Sequence, residues 1–162
     1  MVNAHPVIVK PMTKDNCLSV ADIHRKVFIR QTLSEEWIAA TCNAFPRMLC
    51  YVAEKGDNPI GYCIWGQKSG FRPKVILELD QLAVLPEYQG KGIGSQLIKE
   101  SLTLVRKQLA VQGLTLQHIM VTTRADNAAQ RLYKRVLGAE VEATITNLYS
   151  ADEVIMIARN VG

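Results

Sequence analysis

Two groups of residues in this chain are of types and spacings that could do chemistry. Gln89-Gly90-Lys91-Gly92-Ile93-Gly94 places three glycines at alternate positions, between an apolar, β-branched run at residues 75–84 and a helical pattern that begins near Ser95. Glycines there let the backbone take left-handed or tightly turned conformations, so that consecutive N–H groups converge on one point at the start of a helix. Phosphate or pyrophosphate oxygens suit such a point. A plain flexible strand-to-helix turn has the same composition, and the flanks must decide between the two. One flank carries the second group. Glu78 and Asp80 alternate on one face of the otherwise apolar run, where ionised carboxylates are costly unless they face a cleft or find partners. The plainer alternative is a partly solvated strand face on which both acids are structural.

The elements that must hold these residues follow from periodicity and punctuation. Residues 7–10 read as a short strand closed by Pro11, and residues 15–30 as a helix with Leu18, Ala21, Ile23, Val27 and Phe28 along its apolar stripe. Ser34 is the expected N-cap of a second helix over 35–45, with Glu35 and Glu36 in its first turn and Pro46 after its end. Runs 49–54 and 60–65 flank a turn-rich Lys-Gly-Asp-Asn-Pro and read as an antiparallel hairpin. After a Gly/Pro-containing connection at 69–73 come the strand 75–84 and the glycine loop. Leu97, Ile98, Leu102, Val105 and Leu109 then fall on one helical face that Gln112-Gly113 closes. Residues 116–122 form the next strand. A helix starting at Asp126 or Asn127 carries Ala129, Leu132, Tyr133, Val136 and Leu137 and stops at Gly138. Strands 140–146 and 153–159 end the chain. The order β-α-α-β-β-β-α-β-α-β-β calls for an α+β (mixed α/β) fold, a mixed sheet with helices on its faces.

Composition narrows the class. The 162 residues suit a single domain over 1–162 that needs neither disulfides nor metal for stability. With 48% hydrophobic and 21% charged residues the chain is neither disordered nor membrane-like in composition. Its apolar runs fall far short of the ~20 residues that span a bilayer, and residues 1–6 lack the basic flank and apolar core of a signal sequence. A cytoplasmic protein without a membrane partner is expected. Cys17, Cys42, Cys50 and Cys63 make no Cys-x-x-Cys pair and have no histidine at zinc-ligand spacing, so no metal site is expected. The net charge of +4 is modest, but the basic residues from Lys91 to Arg135 share the half that carries the glycine loop. That distribution fits a small polyanionic ligand better than duplex nucleic acid.

Two motifs together resemble a known family. Gln89-Gly90-Lys91-Gly92-Ile93-Gly94, preceded by Leu82-Ala-Val-Leu-Pro-Glu-Tyr, is similar to the Gln/Arg-x-x-Gly-x-Gly/Ala signature of the GNAT (GCN5-related N-acetyltransferase) superfamily. Asn127-Ala-Ala-Gln-Arg-Leu-Tyr133, followed by Leu137-Gly138-Ala139, resembles that family's second cofactor-contacting segment. A dinucleotide-binding Gly-x-Gly-x-x-Gly is excluded because residue 95 is Ser. The resemblance implies six to seven strands and about four helices, with strands 75–84 and 116–122 parallel and splayed apart at one end to receive acetyl-CoA. It assigns the pyrophosphate to the backbone N–H groups of Gln89, Gly90, Lys91, Gly92, Ile93, Gly94 and Ser95. The pantetheine arm would pair with the backbone of Leu82, Ala83 and Val84, and Asn127 would contact it or cap its own helix.

An acetyl transfer to an amine, by direct attack in a ternary complex, has defined proton requirements. An alkylamine with a pKa near ~10.4 is mostly protonated at neutral pH, so a base or a water path must act before its nitrogen attacks. The resemblance makes Tyr133 the acid that protonates the departing thiolate, and matches Glu78 to the glutamate base of the family's lysine-acetylating branch. Asp80 is the alternative base or the binder of the substrate ammonium, and His118 is a further option. The backbone N–H of Leu82 would receive the oxyanion. Acceptor choice would rest on residues 28–37, 69–73 and the final hairpin, including Arg30, Gln31, Glu35, Glu36, Trp37 and Tyr149. The acceptor is expected to be a primary amine of a small molecule or of a peptide or protein, and the protein a monomer or homodimer. A catalytically silent acyl-CoA-binding sensor is the alternative that needs no proton-transfer groups.

Overall fold

The computed structural model describes residues 5–162, so most of the N-terminal hexapeptide read for a signal sequence lies outside it. Seven strands, β1 (Val7–Pro11), β2 (Met48–Lys55), β3 (Asn58–Gln67), β4 (Lys74–Val84), β5 (Thr115–Arg124), β6 (Glu140–Ile145) and β7 (Glu153–Ala158), form one mixed sheet in the order β1-β2-β3-β4-β5-β7-β6. Four helices join them: α1 (Cys17–Val27), α2 (Ser34–Asn43), α3 (Ile93–Val111) and α4 (Gln130–Leu137). The fold class and the order of elements are those expected from the sequence.

The chain divides into two compact units, residues 1–64 with 81–102, and residues 65–80 with 103–162. The first contains β1, β2, α1 and α2. Here β1 pairs antiparallel with β2 from Val7↔Lys55 to Pro11↔Tyr51, so Pro11 is the last residue of the strand rather than its stop. Proline is tolerated there because β1 is the edge of the sheet and a missing donor can face outward. Val20, Ala21, Ile23 and Ile38 pack with Val52, Tyr62, Ile64 and Ala83 to form this unit's core. Leu18, expected on the α1 stripe, is instead 68% exposed, because the buried face is set by Val20, Ala21, Ile23 and His24. α1 also ends at Val27, three residues before the expected limit at Arg30.

Gly61 of β3 has a steric reason for its identity: a Cβ there would lie 2.8 Å from the Ala83 carbonyl oxygen. The residue after β4, Leu85, also meets β3, its N–H donating to the Ile60 carbonyl at 2.9 Å. Since successive residues of a strand direct their backbone groups to alternate edges, Leu82 and Val84 direct theirs away from β3.

In the second unit, β4 and β5 run parallel from Lys74↔Thr115 to Glu78↔Met120, with a register shift between Val75 and Ile76. Both strands continue past their last pair, β4 to Val84 and β5 to Arg124. β7 pairs antiparallel with β5 and with β6, and β6 is exposed along its whole length. Gly61→Ala should lower stability by ~1–3 kcal/mol, because the added methyl meets backbone that cannot rotate aside. Urea unfolding with a lower midpoint and an unchanged slope would register it.

Candidate active site

The glycine loop is tied back to the residues before it by its own side chains. After a single 3₁₀ turn at Pro86–Tyr88, Gln89 Nε2 donates to the Val84 carbonyl at 2.9 Å and Lys91 Nζ to the Glu87 carbonyl at 2.9 Å. Gly90 (φ 73°) and Gly92 (φ 78°) are left-handed, a conformation that L side chains disfavour by ~1–2 kcal/mol, and a Cβ on either would meet nothing within 4 Å. The constraint at these positions is therefore torsional and not steric. Gly94 differs from the expectation: it lies inside α3, which starts at Ile93, ahead of the start expected near Ser95. The first bond of that helix runs from the Gln96 N–H to the Gly92 carbonyl at 3.0 Å. The N–H groups of Ile93, Gly94 and Ser95 precede it and have no partner within the helix, which is the donor array that an anion requires. Lys91 and Lys55 place their ammonium groups 5.3 and 5.8 Å from the Tyr88 ring centroid and add positive charge beside the loop.

On β4, Val75, Leu77, Leu79, Gln81 and Ala83 are buried, while Ile76, Glu78, Asp80, Leu82 and Val84 form the other face. Glu78 and Asp80 therefore share the face that the alternation assigns them. Glu78 Oε2 is 2.6 Å from Lys68 Nζ, and Thr122 Oγ1 donates to Glu78 Oε1 at 3.2 Å. Asp80 is exposed, yet its carboxyl is held above the usual carboxylate range, first by desolvation from the surrounding protein and then by the Glu78 charge, with Lys68 pulling it down. Sequence reasoning missed Lys68 and Thr122. The register of the hairpin could have suggested Lys68, whose N–H donates to the Ile76 carbonyl at 3.0 Å.

Tyr133 is the buried residue of α4. Desolvation raises its phenol, keeping it protonated and able to donate at neutral pH. Its helix begins at Gln130, later than the expected start at Asp126 or Asn127, because Asn127 builds the turn before it. Asn127 Oδ1 accepts from the Ala129 N–H at 2.9 Å, and its Nδ2 donates to Thr123 Oγ1 at 2.8 Å. His118 accepts from the Asn160 N–H through Nδ1 at 3.0 Å, a structural use of that ring.

The segment before α2 forms a cavity of about 450 Å³ whose lining includes Arg25, Gln31, Leu33, Glu35 and Glu36. The structure corrects the expected cap: Leu33, left-handed at φ 55°, takes the N-cap position, and Ser34 lies inside the helix. Ser34 Oγ is turned instead to His24 Nδ1 at 2.8 Å, while His24 Nε2 meets Gln31 Oε1 at 2.9 Å. Burial lowers the His24 pKa and holds this imidazole neutral, so it ties α1 to both ends of the segment. Of the other residues expected on the acceptor side, Trp37 and Tyr149 are exposed.

Comparison with known proteins supplies the class. A family description, "Acetyltransferase (GNAT) domain", matches residues 46–136, and the chain belongs to that family of N-acetyltransferases, which use acetyl-CoA. It is 27% identical over 138 residues to the N-alpha-acetyltransferase RimI of Mycobacterium tuberculosis, covering 83% of this chain and 79% of the relative. Among solved structures, Arabidopsis thaliana NAA60 in complex with a bisubstrate analogue superposes with a TM-score of 0.77 at 18% identity, over 97% of this chain and 99% of that one. An aminoglycoside 6'-N-acetyltransferase complexed with coenzyme A gives 0.74 at 15%, over 96% and 98%.

Because folding raises the Asp80 carboxyl, its ionisation disfavours the native state. That penalty is absent below the unfolded pKa of ~3.9 and grows as pH rises through the folded value. Asp80→Asn should therefore melt slightly higher than the parent protein at neutral pH and equally near pH ~3. A lower melting temperature at neutral pH would mark the carboxylate as structural.

Proposed function

We propose that the chain, acting as one domain over residues 1–162 in the cytoplasm, transfers the acetyl group of acetyl-CoA to a primary amine of a peptide or small molecule within a ternary complex. The observation that carries the acceptor chemistry is the pair of acids on the open face of β4, one of them with a raised carboxyl. A protein that only senses an acyl-CoA has no use for such a pair. The relative named as an N-alpha-acetyltransferase favours a peptide α-amine, and the enzyme named as an aminoglycoside 6'-N-acetyltransferase favours a small amine. No helix of the described residues is long and apolar enough to cross a membrane.

Acetyl-CoA supplies the activated acetyl group as a thioester. The N–H groups at the start of α3 and the left-handed glycines hold its pyrophosphate, with Lys91 and Lys55 adding charge. The Leu82 N–H, directed away from β3, receives the oxyanion, and backbone groups of Leu82, Ala83 and Val84 align the pantetheine arm. The Val84 carbonyl already accepts from Gln89, so Gln89 both closes the loop and limits how that arm can bond. Glu78 or Asp80 takes the amine's proton. The Tyr133 phenol gives a proton to the departing thiolate, consistent with a hydroxyl that burial keeps protonated.

A panel of amines comprising peptide α-amines, a lysine side-chain amine and an aminosugar, assayed for acetyl-CoA-dependent thiol release, is the direct test. Release with at least one class is expected, whereas tight CoA binding with total silence would favour a sensor. Gly92→Val should weaken CoA binding measured by calorimetry at least ~10-fold by removing a backbone conformation that the donors need. Tyr133→Phe should lower kcat by ~10²-fold with little change in acetyl-CoA affinity. Intact turnover would remove Tyr133 from the acid role.

A further inference from the structure

We infer that Lys68 and Thr122 hold Glu78 as a fixed counter-charge, leaving Asp80 as the carboxylate that receives the acceptor's proton. The inference rests on the acetyl transfer proposed above and reverses the order in which the family resemblance ranks the two acids.

Both Glu78 oxygens are engaged, Oε2 by the Lys68 ammonium at 2.6 Å and Oε1 by the Thr122 hydroxyl at 3.2 Å. Its side chain is 16% exposed against 45% for Lys68, so the ion pair's inner end is the glutamate. Glu78 is thus tied on one oxygen by a cation and on the other by a hydroxyl donor. Lys68 is itself anchored, its N–H bound to the Ile76 carbonyl at 3.0 Å just before a turn in which Ser69 and Gly70 have positive φ.

Asp80 lies two residues further along the same face, is open to solvent, and makes no ion pair or hydrogen bond among the described residues. The charges facing it are Glu78 on its own strand, which raises its carboxyl, and Lys68, which lowers it. From β5, Arg124 is committed to Asp126 at 2.9 Å and His118 to the Asn160 N–H at 3.0 Å. Lys68 is thus a positioning residue with two effects: it immobilises Glu78 and moderates how far the Glu78 charge raises Asp80.

The proton balance is complete. The ammonium N–H bond breaks as an O–H bond forms on Asp80, and this proton passes to solvent. The nitrogen lone pair then bonds the acetyl carbon, moving the carbonyl pair onto oxygen, and the return of that pair breaks the C–S bond. The second proton shed by nitrogen replaces the one that Tyr133 gives to the thiolate, so each turnover releases one proton.

The test combines kinetics on the amine panel with a carboxyl-carbon NMR titration of aspartate-labelled protein, which needs no turnover. Asp80→Asn should lower kcat/KM by ~10²-fold or more, and Glu78→Gln by far less. Lys68→Met should move the Asp80 titration and the acid limb of kcat/KM upward together, because the charge that lowers that carboxyl is gone. Glu78→Gln as damaging as Asp80→Asn, or a titration that Lys68→Met leaves in place, would overturn the inference. A parent protein that binds CoA but acetylates no amine would defeat the transfer reaction itself, a result separable from an active parent with the wrong acid sensitive.

Discussion

The period-two geometry of β4 governs both the packing and the chemistry of this protein. One parity, Val75 through Ala83, is buried, and Gly61 of β3 must lack a side chain so that the Ala83 carbonyl can approach. The other parity therefore has no place in the core and carries Glu78 and Asp80. A one-residue slip would bury two carboxylates and expose Leu77 and Leu79, so the core itself enforces where the acids point. The same alternation applies to backbone groups: with Leu85 bonded to Ile60, Leu82 and Val84 address the opposite edge.

Electrostatics then differentiates residues that geometry places side by side. Glu78 and Asp80 have the same charge and share a face, yet a lysine and a threonine engage one and leave the other open. Desolvation and the neighbouring charge raise the open one. At Tyr133 burial acts on a phenol in the same direction, favouring the neutral form. A carboxyl raised above its usual range and a phenol kept protonated would be complementary properties in the acyl transfer proposed above, which must move protons at both ends.

Much of this was readable from residue types. The order of elements, the parity of β4, the buried face of α3 and the family motifs follow from local patterns, and local patterns are what period and turn chemistry report. The discrepancies lie where tertiary partners compete with local preference. Ser34 has the chemistry of an N-cap, but a buried imidazole ten residues earlier claims its hydroxyl, and Leu33 takes the cap in a left-handed conformation. Asn127 looks like a helix start, yet its amide oxygen is spent on the turn preceding α4 and its amide nitrogen on Thr123 of β5. Leu18 is apolar and helical but lies off the face that packing selects.

Sequence by itself determined that the chain is a mixed α/β acetyltransferase, with alternating glycines between a strand and a helix and acids on a strand face. Those properties depend on residue identity at fixed short spacing, where backbone geometry allows few outcomes. Only the tertiary structure decided that Gly90 and Gly92 are left-handed while Gly94 is helical, that Lys68 and Thr122 bind Glu78, and that Asp80 stands open. Lys68 is ten residues from Glu78 and Thr122 is 44. Strand pairing sets contacts at such separations, and they in turn set which of two chemically similar carboxylates is free to accept a proton.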